Sequence, residues 1–257
     1  MVLDRISIEL TNHCAKACWF CYNHSGPEGA TQWTEDELVE FVSDCAANGV
    51  KAVSFGGGEP LQYDKLYDVL ERLKSVLFRS VTTNGLLLDP LVLDRLKDVR
   101  PDKVHVSIHF PGSQTEISRV LRNVDDLAEH GIRSGINFLV QRSQLEAAKS
   151  AAAYLRQCGI KNDRIVYLPM RGQDTPTPEE MAVVAGNEPF QSMTCLTKCA
   201  PSSRFCSIAW DRQVAWCSYT SSRRTLTELT FAGLMNTVDG LGLEFCGGTE
   251  PVLQQLG

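Results

Sequence analysis

The chain has 257 residues, 43% of them hydrophobic and 22% charged, enough for one sizeable packed domain with a small appendage and not the composition of a disordered chain. With a net charge of −6 and no Lys/Arg block, a nucleic-acid partner is not expected. No apolar run approaches a membrane span, and the start MVLDRISIEL lacks the order of an export signal, so a cytoplasmic chain with no membrane partner is expected. In that setting ten cysteines argue for metal ligation over a disulfide framework.

In chain order, Arg5 to Leu10 reads as a first strand, and Thr34 with Glu37 forms a capping box for a helix running to Ala47. Gly49 ends that helix and a second strand follows from Lys51 to Phe55. The third strand spans Leu77 to Thr82 and the fourth Lys103 to His109. Ser113 and Glu116 cap a helix reaching Glu129, Gly131 ends it, and Arg133 to Val140 forms the fifth strand. An Ala-rich helix leads to a sixth strand, Arg164 to Leu168. Cys45 and Cys158 fall inside helical patterns and read as buried core thiols. This alternation calls for an α/β fold, with parallel strands joined by crossover helices. Too few strands follow residue 170 to close an eight-stranded barrel. The expected architecture is a partial (β/α)6 TIM-like barrel over 1–170, with 171–257 a small C-terminal cysteine-rich α+β extension.

Directly after the first strand, Cys14, Cys18 and Cys21 stand in the run CAKACWFC. Several soft thiolates from one short curved segment suit a metal cluster. A cubane iron–sulfur cluster usually takes four ligands, so three cysteines leave one iron open to an exogenous one. A structural zinc site, with His13 or His24 as a further ligand, and three unrelated thiols are the competing readings. Ligands of parallel α/β folds gather outside the carboxyl ends of the strands, where this loop falls. The second strand ends in Phe55-Gly56-Gly57-Gly58-Glu59-Pro60, whose glycines let backbone approach a ligand. Without a GK[ST] ending it is not a phosphate loop.

Together these two runs resemble the CxxxCxxC and GGEP signatures of the radical S-adenosylmethionine (SAM) superfamily, and weaker likeness continues in order to about residue 170. The resemblance implies a [4Fe-4S] cluster on Cys14, Cys18 and Cys21, with SAM chelating the open iron. One electron from a reduced flavodoxin or ferredoxin-like donor then cleaves SAM to methionine and a 5′-deoxyadenosyl radical, which abstracts hydrogen from a substrate carbon. It also implies that Phe20 shields adenine and that Gly57, Gly58 and Glu59 meet the methionyl amino group. Asn84 belongs to a TNG-like segment, Ser107 and Asn137 match SAM-contacting positions, and Leu168 lies where adenine packs. His109 shares a strand face with His105 and Ser107 and would bind substrate or relay a proton. A simple Asn-Gly turn and a structural hydrogen bond are the plain alternatives for Asn84 and His109.

Beyond a Pro/Thr-rich loop, Thr177-Pro178 with Glu180 opens a short helix, and five cysteines follow: Cys195, Cys199, Cys206, Cys217 and Cys246. Ser207 to Trp210 and Val214 to Tyr219 read as a hairpin around Asp211, with a helix from Leu226 to Met235. This tail resembles a twitch/SPASM-type auxiliary-cluster extension. In that comparison Cys199 and Cys217 bracket the hairpin, Cys246 is a later ligand, and Cys195 or Cys206 supplies a fourth. It departs from the pattern at Ser202-Ser203-Arg204, where glycine is usual, and at Asp211-Arg212-Gln213, where Asp-Gly is usual. Structural zinc, or thiols that hold no metal, are the alternatives to a second iron–sulfur cluster. The resemblance implies oxidation or modification of a peptide or small metabolite. A glycyl-radical activating enzyme and a non-catalytic metal-binding scaffold are the competing functions.

Overall fold

The computed structural model describes residues 3–192, 202 and 204–244. In chain order its strands are β1 (Arg5–Thr11), β2 (Ala52–Gly57), β3 (Phe78–Thr83), β4 (Lys103–Ile108), β5 (Ser134–Val140), β6 (Ile165–Pro169), β7 (Gln191–Ser192), β8 (Phe205–Ile208), β9 (Gln213–Ala215) and β10 (Arg224–Thr225). The helices are α1 (Glu35–Ala47), α2 (Leu66–Arg72), α3 (Pro90–Val99), α4 (Gln114–Glu129), α5 (Leu145–Gln157), α6 (Pro178–Val184) and α7 (Phe231–Val238). The fold is mixed α/β with largely parallel strands, as the alternation of elements requires. Among the described residues no helix is long and apolar enough to cross a membrane.

The described residues form two compact units, 3–105 with 126–134, 202 and 204–244, and 106–125 with 135–192. In the first, β1 pairs in parallel with β2 on one side and β8 on the other, and β2 pairs in parallel with β3. The hairpin β8–β9 and the short β10 continue the sheet in antiparallel fashion. Thus β8, from the C-terminal part of the chain, pairs directly with its first strand. The alternation of β1 sends Ile6, Ile8 and Leu10 into the core, each with 0% exposure. The opposite face carries serines in register, Ser207 beside Ser7, Ser7 beside Ser54, and Ser54 beside Ser80. The Ser54 and Ser80 hydroxyls are 2.8 Å apart and hydrogen-bonded. A parallel sheet packed on both sides is ordinarily apolar on both; this one keeps a polar face.

The expected capping box of α1 is present, with Thr34 and Glu37 exchanging backbone and side-chain bonds and Leu38, Phe41, Val42 and Cys45 forming the buried stripe. Asp89 caps α3, where Pro90 takes the first turn. The buried Arg79 ties this side together. Its guanidinium donates to the carbonyls of Leu70, Val99 (3.2 Å) and Arg100 (2.6 Å) and pairs with Asp102 at 3.2 Å, joining the ends of α2 and α3 to β3.

In the second unit β5 pairs in parallel with β6 and β6 with β7. Ile136, Phe138, Val140, Ile165 and Tyr167 are buried, while Asn137, Leu139, Val166 and Leu168 share the other, half-buried face. Tyr167 donates to Asn162 at 2.8 Å and packs edge-on against Phe190.

Three expectations need correction. Cys158 is exposed, because α5 ends at Gln157 and Gly159, at φ +87°, turns the chain so that Ile160 takes the buried position. The last helix begins at Phe231, not Leu226: the Thr230 hydroxyl accepts from Gly233 N–H at 3.0 Å and sets the start, a local cap that hydropathy does not report. His109 lies just past β4, which ends at Ile108.

Replacing Arg79 by Met strands the Leu70, Val99 and Arg100 carbonyls and takes the guanidinium from Asp102, whose carboxylate keeps the backbone N–H at 79. The loss is expected to be about 3 kcal/mol or more, read as a lower urea midpoint with an unchanged slope.

Candidate active site

The segment after β1 is closed at its base by short polar bonds. Asn12 N–H donates to Ala30 C=O at 3.0 Å, and its side-chain oxygen accepts from Ala30 N–H at 2.6 Å. Thr11 donates to Ala30 C=O at 2.9 Å and accepts from His13 N–H at 2.9 Å. Gly26 C=O accepts from Cys14 N–H at 2.9 Å, and Asn12 C=O accepts from Gly26 N–H at 3.1 Å. Within this frame Cys21 N–H donates to Cys18 C=O and Ala17 takes a left-handed conformation, φ +44°, so the chain curls tightly between the cysteines. Cys14 is buried; Cys18 and Cys21 are half-buried.

The end of β2 packs against this frame. Gly58 N–H donates to Thr11 C=O at 2.6 Å and Glu59 N–H to His13 C=O at 2.8 Å. A Cβ at Gly58 would strike the His13 carbonyl, and one at Gly57 would strike the Thr11 carbonyl. Both glycines therefore have a packing reason to lack a side chain. Glu59, 1% exposed, accepts from Thr83 Oγ1 at 2.7 Å, Asn84 N–H at 2.8 Å and Leu61 N–H at 3.1 Å. Burial pushes its carboxyl above the usual range, opposed by those donors. Asn84 then reaches Cys14, with Nδ2 3.7 Å from Sγ, while its Oδ1 accepts from Leu86 N–H at 2.9 Å. So the GGEP-like and TNG-like runs are bonded to each other and to the cysteine loop.

The donor set fits an iron–sulfur cluster. The three loop cysteines are thiols rather than disulfides, and an amide N–H reaches the buried one. Zinc would need a fourth close ligand such as His13 or His24 beside the three thiolates. A cluster instead takes each thiolate on a different iron. Phe20 meets Trp19 edge-on at 5.2 Å on the same loop.

Among the other expected residues, Ser107, His109, Asn137 and Leu168 belong to the second unit. Ser107 is buried, and Asn137 and Leu168 lie on the half-buried face of adjacent strands. His109 N–H donates to Glu116 Oε1 at 3.0 Å, and its ring Nδ1 is 3.7 Å from the same oxygen. Ser113 caps α4 as expected, accepting from Glu116 N–H at 3.2 Å, and the Glu116 carboxylate also holds His109. Cys206 is fully buried in β8 near Cys45 of α1, and burial pushes its thiol well up. Cys217 is half-buried. Cys195, Cys199 and Cys246 lie outside the described residues.

The superfamily model for radical SAM proteins matches residues 8–177. The chain belongs to the radical SAM superfamily. As a radical SAM chain it is an enzyme whose cofactors are a [4Fe-4S] cluster and SAM. It is similar to a probable GTP 3',8-cyclase of Methanocella arvoryzae, 34% identical over 106 residues, or 41% of this chain and 34% of that protein. The matches to three such cyclases cover 34%, 48% and 56% of their lengths, so the chain spans about a third to just over half of these curated relatives. Among solved structures it is similar to Streptococcus suis SuiB bound to precursor peptide SuiA, with TM-score 0.69, 14% identity, and coverage of 87% of this chain and 62% of that one. It is also similar to anSMEcpe with bound AdoMet and Cp18Cys peptide, with TM-score 0.66, 15% identity, and coverage of 91% and 80%. At these identities the structural likeness shows the fold, which is that of the expected partial barrel.

One residue of this radical SAM chain escaped the motif reading. Glu9 sits on the polar face of β1 at 2% exposure, and neither carboxylate oxygen has a hydrogen-bond partner of ordinary geometry. Burial raises its carboxyl to about 7; the charge of Arg223, the Tyr22 hydroxyl and the Trp210 backbone oppose that shift, and Asp211 adds to it. The signal in the sequence was a lone acid in the apolar run RISIEL, at a position whose alternation shares a face with Ser7.

Two outcomes follow. Gly58→Ala is expected to push His13 away and lower the iron retained after anaerobic reconstitution, measured by iron and sulfide analysis. For Glu9, the unfolded chain releases its proton near 4.5 and the native chain near 7. The native state therefore binds more protons between those values, and stability falls as pH rises through that window. Glu9→Gln removes this slope. Its stability relative to the parent is expected to grow by up to roughly 3 kcal/mol from pH 4.5 to above pH 7, read from urea titrations.

Proposed function

We propose that Cys14, Cys18 and Cys21 hold the [4Fe-4S] cluster and that the ends of β2 and β3 hold the methionyl part of SAM through Gly57, Gly58, Glu59 and Asn84. The observation that carries this is the continuous bonding from Glu59 through Asn84 to Cys14, which couples all three motifs at one place. When bound, the cluster and SAM supply one-electron cleavage of the sulfonium and abstraction of hydrogen from a substrate carbon. The chain's own part is to hold and shield. The Thr11–Ala30 and Asn12–Ala30 bonds hold the loop in register, and Glu59 holds the end of β2 to the end of β3. The Asn84 amide gives Cys14 sulfur a hydrogen bond of the kind that tunes cluster potential. Phe20 is assigned to shielding adenine and His109 to the substrate side; Ser107, Asn137 and Leu168 are assigned to SAM by the same resemblance.

The substrate class we favour is a peptide or small metabolite that is oxidised or otherwise modified, with a reduced flavodoxin or ferredoxin-like protein as electron donor. The likeness to SuiB with precursor peptide SuiA and to anSMEcpe with Cp18Cys peptide supports a peptide, and the likeness to GTP 3',8-cyclases supports a small metabolite. We assign residues 1–170 to the radical SAM core and 171–257 to an extension holding a second cluster, with Cys199, Cys217, Cys246 and either Cys195 or Cys206 as its ligands. The burial of Cys206 beside Cys45 in the core favours Cys195 over Cys206 as the fourth.

The test is anaerobic reconstitution of the parent and of the variant carrying Cys14→Ala, Cys18→Ala and Cys21→Ala. We expect the variant to hold about four fewer irons and to form no 5′-deoxyadenosine from SAM under dithionite. About four irons left in the variant would support the second cluster. Zinc in place of iron, with no SAM cleavage by the parent, would overturn the assignment of the site.

A further inference from the structure

We propose that the Glu9 carboxylate receives a positively charged N–H group of the substrate, such as a primary ammonium, in the space beside Gly56. This deepens the function proposed above and rests on it, since it names the chemistry of the substrate.

Three observations in the first unit carry it. Among the described residues no hydrogen bond of ordinary geometry reaches either Glu9 oxygen, although the residue is almost wholly buried and the Tyr22 hydroxyl and Trp210 backbone lie close enough to act on it. An ionised carboxylate only accepts, so the missing partner is a donor, and burying the carboxylate without one is costly. Secondly, the register sets Glu9 beside Gly56 of β2, on the same face of the sheet. A Cβ built at Gly56 would meet nothing within 4 Å. Its neighbours Gly57 and Gly58 are glycines because backbone crowds them; Gly56 has no such reason, and its missing side chain leaves open space next to an unsatisfied acid. Thirdly, among the described residues the charges that act on Glu9 do not cancel it. The charged groups acting on Glu9 are Arg223 and Asp211, one of each sign, and Arg223 Nη2 already donates to Ser218 C=O at 2.5 Å. The local sum stays negative. A cation bearing N–H bonds supplies both the charge and the donor that the carboxylate lacks.

The serines of the same face fit this reading. Ser7 and Ser54 lie two residues before Glu9 and Gly56 on their strands, so the floor beside the acid is made of small hydroxyl side chains. Tyr22 and Tyr219, with ring centroids 4.7 Å apart, are an aromatic pair close to the acid, Tyr22 being the nearer. A carboxylate with aromatic rings close by suits an ammonium or guanidinium group.

The test uses the reconstituted holoenzyme with SAM, as parent, Glu9→Gln and Gly56→Val, and two probes followed by saturation-transfer NMR. Methylammonium carries the charge and N–H donors; tetramethylammonium carries the charge alone. The parent is expected to bind methylammonium, Glu9→Gln and Gly56→Val to weaken that binding about tenfold or more, and tetramethylammonium to bind no better to the parent than to Glu9→Gln. Equal methylammonium binding by parent and Glu9→Gln, or none by the parent, would overturn the proposal. Stronger binding of tetramethylammonium than of methylammonium to the parent would overturn the N–H requirement. Should Gly56→Val fail to fold, the near-isosteric Glu9→Gln still decides. Substrate-free 5′-deoxyadenosine formation in the same samples reports on the radical SAM site itself. Its loss in the parent would sink that assignment, whereas its presence with no Glu9-dependent probe binding would sink only this one.

Discussion

The close approach of β2 to the cysteine loop is the constraint on which the rest of the site depends. Two backbone bonds, Gly58 N–H to the Thr11 carbonyl and Glu59 N–H to the His13 carbonyl, bring the strands closer than any side chain at positions 57 or 58 would allow. That contact places Glu59 under the end of β3, where Thr83 and Asn84 satisfy it, and leaves Asn84 next to Cys14. A buried carboxylate with three donors is costly to strip of any one of them. The motifs are thus held to each other before any cofactor arrives.

The same sheet uses its two faces for different purposes. Ile6, Ile8 and Leu10 anchor β1 in the apolar core, and Cys206 of the adjoining β8 is buried there near Cys45. The other face carries hydroxyls and one acid in register across the strands. A face of this kind contributes little to stability through burial, and the Glu9 carboxylate subtracts from it above neutral pH.

Much of this was legible in the residues. The capping boxes at Thr34 and Thr177, the stop at Gly49 and the alternation of β1 are local events, decided within a few residues, and each appears where the pattern put it. The loop cysteines and the glycine run were equally plain, because cluster ligation and close backbone approach leave few residue types to choose from. The short α2 has no side-chain cap and no marked pattern, and the Thr230 cap of α7 competes with an apolar run that begins earlier at Leu226. Cys158 shows the same limit: one left-handed glycine after α5 exchanges which residue is buried.

By itself the sequence determined the superfamily, the cofactors and the order of the elements, since these rest on spacing, periodicity and ligand chemistry along a single strand or loop. Tertiary structure alone decided what each site side chain touches. The motif names Glu59 without its partners, which the fold shows to be Thr83 and Asn84, and it gives no hint that Glu116 holds His109. Glu9 reads as one acid in a strand until the register sets it beside Gly56, where no donor among the described residues meets it with ordinary hydrogen-bond geometry. The reason is physical: spacing fixes which residues share a face, but only the pairing of distant strands fixes which groups across that face find a partner and which do not.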